Sequence, residues 1–154
     1  MSHPVGEYSN IKNELEVHGV YVCRSSGVSM QPLFKTHRDV MVIRAVEREM
    51  KKYDVVLYEV GEDRYFLHRI IKVKPEYYLI RGDNTFVLEK VKKESVIGVL
   101  TSYTRKGKKH TVNDFSYKLY SRVWNFIYPV RYILRKLRIF LTRVYRKLFR
   151  RGRK

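Results

Sequence analysis

From Val20 onward the chain runs in short apolar bursts separated by charged or turn-forming clusters. Val20 to Cys23, Asp39 to Val46, Val55 to Val60, Tyr65 to Val73, Tyr77 to Arg81 and Val96 to Tyr103 are rich in β-branched and aromatic residues, which suit a pleated, half-buried surface. Between them lie Glu47 to Asp54, Gly61-Glu62-Asp63, Lys74-Pro75-Glu76 and Gly82-Asp83-Asn84, all with turn chemistry. Strands this short and closely spaced predict a mainly β domain, compact and antiparallel. Ahead of them, residues 10–17 predict a short amphipathic helix with Ile11, Leu15 and Val17 roughly on one side.

At Phe115 the period changes. Leu119, Val123, Ile127, Val130, Leu134, Leu137, Leu141, Val144 and Leu148 step by three or four residues, a helical stripe. Pro129 is expected to start a new segment or to kink the helix. The pattern divides the chain into an N-terminal segment (1–19), a β-rich domain (20–114) and a basic amphipathic helical tail (115–154). No run of about 18 or more uncharged apolar residues exists, so no transmembrane helix is expected. Met1 to Glu16 is polar and carries Glu7, Glu14 and Glu16, so it reads as neither a secretory signal nor an anchor.

Charge sharpens the boundary at Asp114. Residues 1–114 hold 20 Lys/Arg against all 15 Asp/Glu, whereas residues 115–154 hold 13 Lys/Arg and no acid. Arg131, Arg135, Lys136, Arg138, Arg143, Arg146 and Lys147 alternate with the apolar stripe, and Tyr120, Trp124, Tyr128, Tyr132 and Phe140 add aromatic bulk. Three readings compete for this tail. An in-plane membrane helix would bury its stripe at the lipid boundary and set those seven basic residues against anionic headgroups. A nucleic-acid binder would use the same charges on phosphates, but phosphate contacts do not need a broad apolar and aromatic stripe. A helix pair packed on the β domain would leave the charge solvated. The membrane reading is preferred, which implies a peripheral location on the cytoplasmic side of an anionic membrane, and nucleic acid is not expected as a partner.

Cys23 is the single cysteine, so an intrachain disulfide is excluded; in its apolar run it reads as a small buried side chain. His3, His18, His37 and His110 show no metal-ligand spacing with each other or with Cys23, and no phosphate-binding glycine loop occurs. Neither a metal nor a cofactor is expected.

Three segments carry candidate chemistry, in this order: Ser26-Gly27-Val28-Ser29-Met30-Gln31-Pro32, Leu67-His68-Arg69-Ile70-Ile71 and Arg81-Gly82-Asp83-Asn84. They offer a hydroxyl, an imidazole and a carboxylate, the parts of an activated serine nucleophile. Taken singly, Ser29 would read as a loop serine, His68 as a core histidine and Gly82-Asp83-Asn84 as a turn. Together, over about Val20 to Leu100, the three resemble the signal peptidase I and LexA-like superfamily of serine peptidases, with the better match among the signal peptidases.

The resemblance implies a compact β fold with Ser29 as nucleophile and His68 as general base, at the position where bacterial relatives carry lysine. Histidine, with an ordinary pKa near 6.5, needs less help than lysine to be neutral at pH 7. Two carboxylates could orient it. Glu89 stands six residues after Asp83, where the histidine-type branch carries an aspartate. Glu89 is preferred as the orienting acid and Asp83 as a structural or supporting one. The backbone N–H of Ser29 is the natural oxyanion donor. Gly27 stands where many relatives place a second serine; Ser26 could substitute, while Met30 and Pro32 would shape the pocket and turn. The implied substrates are signal or leader peptides with small residues before the cleaved bond. Two alternatives stay open: a LexA-like self-cleaving regulator, whose base is lysine, and a non-catalytic membrane- or nucleic-acid-binding module that keeps the fold.

Overall fold

The computed structural model describes residues 11–61 and 64–149, with side chains as far as residue 147. Asn10, where the first helix is expected to begin, the turn residues Glu62 and Asp63, and positions 150–154 of the tail lie outside the described residues, as does the side chain of Leu148. The fold is mainly antiparallel β with helices at the C-terminal end. After helix α1 (Ile11–His18) come eight strands: β1 (Val20–Arg24), β2 (Val40–Ala45), β3 (Val55–Glu59), β4 (Tyr65–Val73), β5 (Tyr77–Arg81), β6 (Glu89–Lys92), β7 (Val96–Arg105) and β8 (Lys108–Thr111). Helices α2 (Phe115–Phe126) and α3 (Tyr128–Phe149) close the described chain, and Pro129 sits in the first turn of α3, where its missing N–H costs least. In α1, Ile11 and Leu15 are buried one turn apart. Val17 is 64% exposed, because a step of two residues turns a side chain to the far side of a helix.

The strands form one sheet in the order β1-β2-β7-β3-β4-β5-β6, every pair antiparallel, and β8 pairs with the far half of the long strand β7. β3 lies between β7 and β4 and is buried on both faces. Its side chains alternate between two cores. Val55 and Leu57 join Leu67, Met41, Ile43, Leu100, Phe34 and the α1 residues Ile11 and Leu15. Val56 and Tyr58 join Ile70, Tyr78, Ile80, Val91 and Val99, with Phe66 packed alongside. β4 alternates in step, so the neighbours His68 and Arg69 leave the sheet in opposite directions.

Packing divides the chain into two units, Met1–Ser121 and Arg122–Lys154. Composition changes at Phe115, but Tyr117 and Ser121 are buried within the first unit. Within the second unit, Val130, Ile133, Leu134, Leu137, Phe140 and Leu141 are each half or more exposed. No helix among the described residues is long and apolar enough to cross a membrane.

Candidate active site

The segment between β1 and β2 holds Ser29 in a run of turns stitched by its own backbone. Gln31 N–H donates to the Val28 carbonyl (3.2 Å) and Phe34 N–H to that of Met30 (3.1 Å). Gly27 has φ +80°, a conformation that a Cβ would strain, and its carbonyl accepts from the Thr36 hydroxyl. The Gln31–Pro32 peptide is cis. Met30 is buried and anchors the turn in the first core. Ser25, Ser26, Ser29, Met30, Phe34, Met41, Phe66 and Leu67 line a small cleft, polar along the serines and apolar opposite them.

Gly82-Asp83-Asn84 follows β5, and its three residues do three different things. Asn84 N–H donates to the Ser29 carbonyl (2.7 Å), and the Asn84 side-chain amide donates to that of Val28 (3.2 Å), fastening the serine turn to the end of the sheet. Gly82 makes that approach possible. A Cβ there would lie 2.7 Å from the Ser29 carbonyl oxygen, 3.0 Å from Thr85 Cγ2 and 3.1 Å from His68 Cδ2, so a side chain would fit only if the serine turn moved away. The same near-contacts bring the Ser29 carbonyl and the His68 ring together over the one face of Gly82 that a side chain would fill. Asp83 turns to the other face of the sheet and takes Arg69 in a two-pronged ion pair, Nε to Oδ1 and Nη2 to Oδ2, both 2.8 Å.

That pair is wholly inside the protein: the side chains of Arg69 and Asp83 are 0% and 1% exposed. Arg69 Nη1 also donates to the Tyr53 carbonyl (3.0 Å), the Tyr117 hydroxyl (3.3 Å) and the Ser121 hydroxyl (2.8 Å), and Tyr120 donates to Asp83 Oδ2 (3.0 Å). Burial works against the Arg69 charge, but Asp83 beside it holds the guanidinium more firmly protonated than usual. Asp83 therefore joins β4, the β5–β6 connection and α2, and does not touch His68.

His68 lies fully buried on the opposite face of β4. Its Nδ1 is 2.9 Å from the Tyr58 hydroxyl and 3.2 Å from Glu89 Oε1, and Tyr58 donates to Glu89 Oε2 at 2.6 Å. Burial raises the affinity of Glu89 for a proton. The hydrogen bonds from His68 and Tyr58 outweigh it and hold the carboxyl below its usual range. Burial, then the adjacent Glu89, push the Tyr58 phenol well above its ordinary value, so it stays neutral. The other ring nitrogen, Nε2, is buried and makes no hydrogen bond, to Ser29 or to any other described group. An unmet buried polar atom costs about 1–3 kcal/mol, and native proteins retain few of them.

The structure thus brings the Ser29 turn and His68 to the same open face of Gly82 and sets Glu89 against His68. Ser26, Met30 and Ser29 share the cleft. Two participants have roles that no motif assigns: Tyr58 lies outside the three segments, and Asn84 stands in one of them only as a turn former. Tyr58 is hidden in the apolar run Val55-Val56-Leu57-Tyr58, where the one clue is that a buried tyrosine hydroxyl needs a partner. Asn84 reads as a turn residue until its two bonds to the serine segment are seen. No group of three or more His, Cys, Asp or Glu among the described residues is placed to hold a metal ion.

In the tail, Arg135, Lys136, Arg138, Arg143, Arg146 and Lys147 are exposed, while Arg131 is half-buried over the Trp124 ring, 3.7 Å from its centroid. No family model matches the chain, and no curated protein matches it.

Proposed function

We propose that this protein is a serine endopeptidase of the signal peptidase type, cleaving signal or leader peptides at a membrane surface. The observation that carries this reading is the state of His68. One ring nitrogen is held against the Glu89 carboxylate, the other is buried and unpartnered, and the ring shares with the Ser29 carbonyl the space left by the missing side chain of Gly82. Ser29 attacks the scissile carbonyl as its proton passes to His68 Nε2. The same nitrogen then returns the proton to the leaving amine, and Glu89 stabilises the imidazolium in between. The backbone N–H of Ser29 is the oxyanion donor. The hydroxyl–imidazole contact forms on substrate binding, as such contacts are commonly loose before substrate arrives. The narrow cleft beside Ser29, walled by Phe34, Met41, Phe66 and Leu67, suits a small apolar side chain before the cleaved bond.

Helix α3 supplies the location. Its exposed apolar residues enter the lipid boundary while Arg135, Lys136, Arg138, Arg143, Arg146 and Lys147 meet anionic headgroups. A self-cleaving regulator is the weaker alternative, because the base here is histidine. Incubation of the purified chain with synthetic leader peptides, followed by mass spectrometry, tests the proposal. Cleavage after a small residue, abolished in Ser29→Ala with an unchanged melting temperature, is the expected result. Undiminished cleavage by Ser29→Ala overturns it.

A further inference from the structure

The contacts around Tyr58 fix more than the position of a ring. A phenol has one proton to give, and the 2.6 Å contact with Glu89 Oε2 claims it. Toward Nδ1 of His68, 2.9 Å away, the Tyr58 oxygen is therefore an acceptor. Glu89 Oε1, 3.2 Å from the same nitrogen, can only accept. Two acceptors converge on Nδ1, so Nδ1 carries the hydrogen. The opposite assignment would set a bare nitrogen lone pair against a carboxylate in a buried site, with nothing to offset the repulsion.

We infer that Tyr58 is a positioning residue that locks neutral His68 in the Nδ1–H tautomer, leaving the lone pair on Nε2, and that holds Glu89 in register for the same purpose. This rests on the peptidase reading for its use, though not for its geometry. A base that takes a proton from Ser29 must present its lone pair at Nε2. The wrong tautomer is inert, however well the residues are placed.

Tyr58 also answers a difficulty peculiar to this chain. Glutamate has one more rotatable bond than aspartate, and the Glu89 side chain is one-third exposed at the start of edge strand β6. Left alone it would sample several rotamers, each with a different reach. The Tyr58 hydroxyl ties down Oε2, and Oε1 is then presented to His68. Tyr58 is itself immobile: it is 0% exposed, lies on the doubly covered strand β3, and has the Phe66 ring 6.0 Å away, centroid to centroid. A rigid aromatic thus substitutes for the shorter side chain.

The experiment is ring-nitrogen NMR on the full chain labelled at histidine, with Tyr58→Phe beside the wild type, read in the resting protein and so independent of cleavage. Wild-type His68 is expected as a single Nδ1–H tautomer, together with a slowly exchanging Tyr58 hydroxyl proton. Tyr58→Phe should show a mixture of tautomers. With a cleavable peptide, it should also show kcat/KM lowered on the order of ten- to a hundredfold, the worth of a hydrogen bond to a charged group, and a displaced acid limb in the pH profile. An Nε2–H tautomer in the wild type overturns the inference, as does Tyr58→Phe with the wild-type tautomer and pH profile. If Tyr58→Phe fails to fold, the wild-type spectrum decides, since both the Nδ1–H and the protected hydroxyl proton must be present. If no peptide is cleaved by the wild type, the tautomer result still stands or falls, separately from the peptidase proposal.

Discussion

Replacing Asp83 by asparagine removes a charge and almost no volume, and it should cost the fold far more than the chemistry. The Arg69 guanidinium has no solvent to fall back on: its side chain is 0% exposed, and apart from Asp83 its partners at Tyr53, Tyr117 and Ser121 are neutral. In Asp83→Asn one oxygen still accepts. The new amide N–H faces either Nε or Nη2 of Arg69, a donor against a donor where a bond of 2.8 Å stood. Breaking one side of a buried pair costs about 3–5 kcal/mol, most of it the penalty of the stranded charge. For a chain of this size each kcal/mol moves the melting temperature by about 3 °C, so a fall of roughly 10–15 °C is expected by circular dichroism. The comparison is Glu94→Gln, which breaks the Lys92–Glu94 pair. Its side chains are 76% and 74% exposed, and an exposed pair should move the melting temperature by less than about 3 °C. Below its own transition Asp83→Asn should still cleave peptide within about threefold of wild type, because Asp83 does not touch His68. An unchanged melting temperature with cleavage lost would refute this reasoning and return Asp83 to the chemistry.

Other outcomes follow from single distances and burials. Gly82→Ala would put a methyl 2.7 Å from the Ser29 carbonyl oxygen, so the serine turn must move. kcat/KM should fall on the order of a hundredfold while the far-ultraviolet spectrum is kept. Burial pushes the Cys23 thiol up to about 12. Alkylation at pH 8 should therefore run at least about a hundredfold slower in the native protein than in denaturant, and equal rates would contradict the burial. Glu89 has a folded-state pKa below its ordinary 4.5, so its contribution is present above that value and is lost as pH falls through the folded pKa. Between pH 5 and 3 the wild type should lose melting temperature more steeply than Glu89→Gln, by under about 1 kcal/mol for a carboxylate one-third exposed. In vesicle sedimentation, Arg135→Glu with Arg143→Glu should weaken binding to anionic bilayers by at least about thirtyfold, at about 1 kcal/mol per basic residue. Equal binding to zwitterionic vesicles would count against an electrostatic anchor.

How far the fold was legible depended on where each residue lies in the sheet. The strands read from apolar runs are those that cover a core: β3, and β4 as far as Ile70, have no exposed residue facing solvent, so their pattern is dense and hard to miss. β6 and β8 were not expected, because Glu89-Lys90-Val91-Lys92 and Lys108-Lys109-His110-Thr111 are nearly all polar. They lie at edges, where lysines discourage further pairing, and the property that protects them also hides them from a hydrophobic scan. Tyr117 and Ser121 stand, by composition, in the basic tail, but they belong to the surroundings of Arg69. Only the position of a buried guanidinium 48 and 52 residues earlier shows that these side chains have a polar partner. In the candidate site, motifs could name Ser29, His68 and two carboxylates. Which carboxylate met the imidazole depended on the face each occupied, and the order of residues does not encode that for a loop and an edge strand.

The two-residue period of β4 is what keeps the two polar clusters apart. His68 and Arg69 are adjacent in sequence, and each is fully buried with a carboxylate partner. On a helix, or in a loop, the imidazole, the guanidinium and the two carboxylates would share one field, and Asp83 would compete with Glu89 for the imidazole. Alternation sends the pairs to opposite faces of a sheet, each surrounded by its own apolar cluster. The Arg69–Asp83 side can then be closed and fully satisfied, with guanidinium and carboxylate donors and acceptors matched. The His68–Glu89 side can stay incomplete at Nε2, an unmet atom that a fold tolerates only when the structure around it is held by something else. Gly82-Asp83-Asn84 spans the boundary between them. The two clusters thus share a strand without sharing partners, which is why Asp83→Asn and Tyr58→Phe should separate cleanly: the first in melting temperature, the second in tautomer and rate.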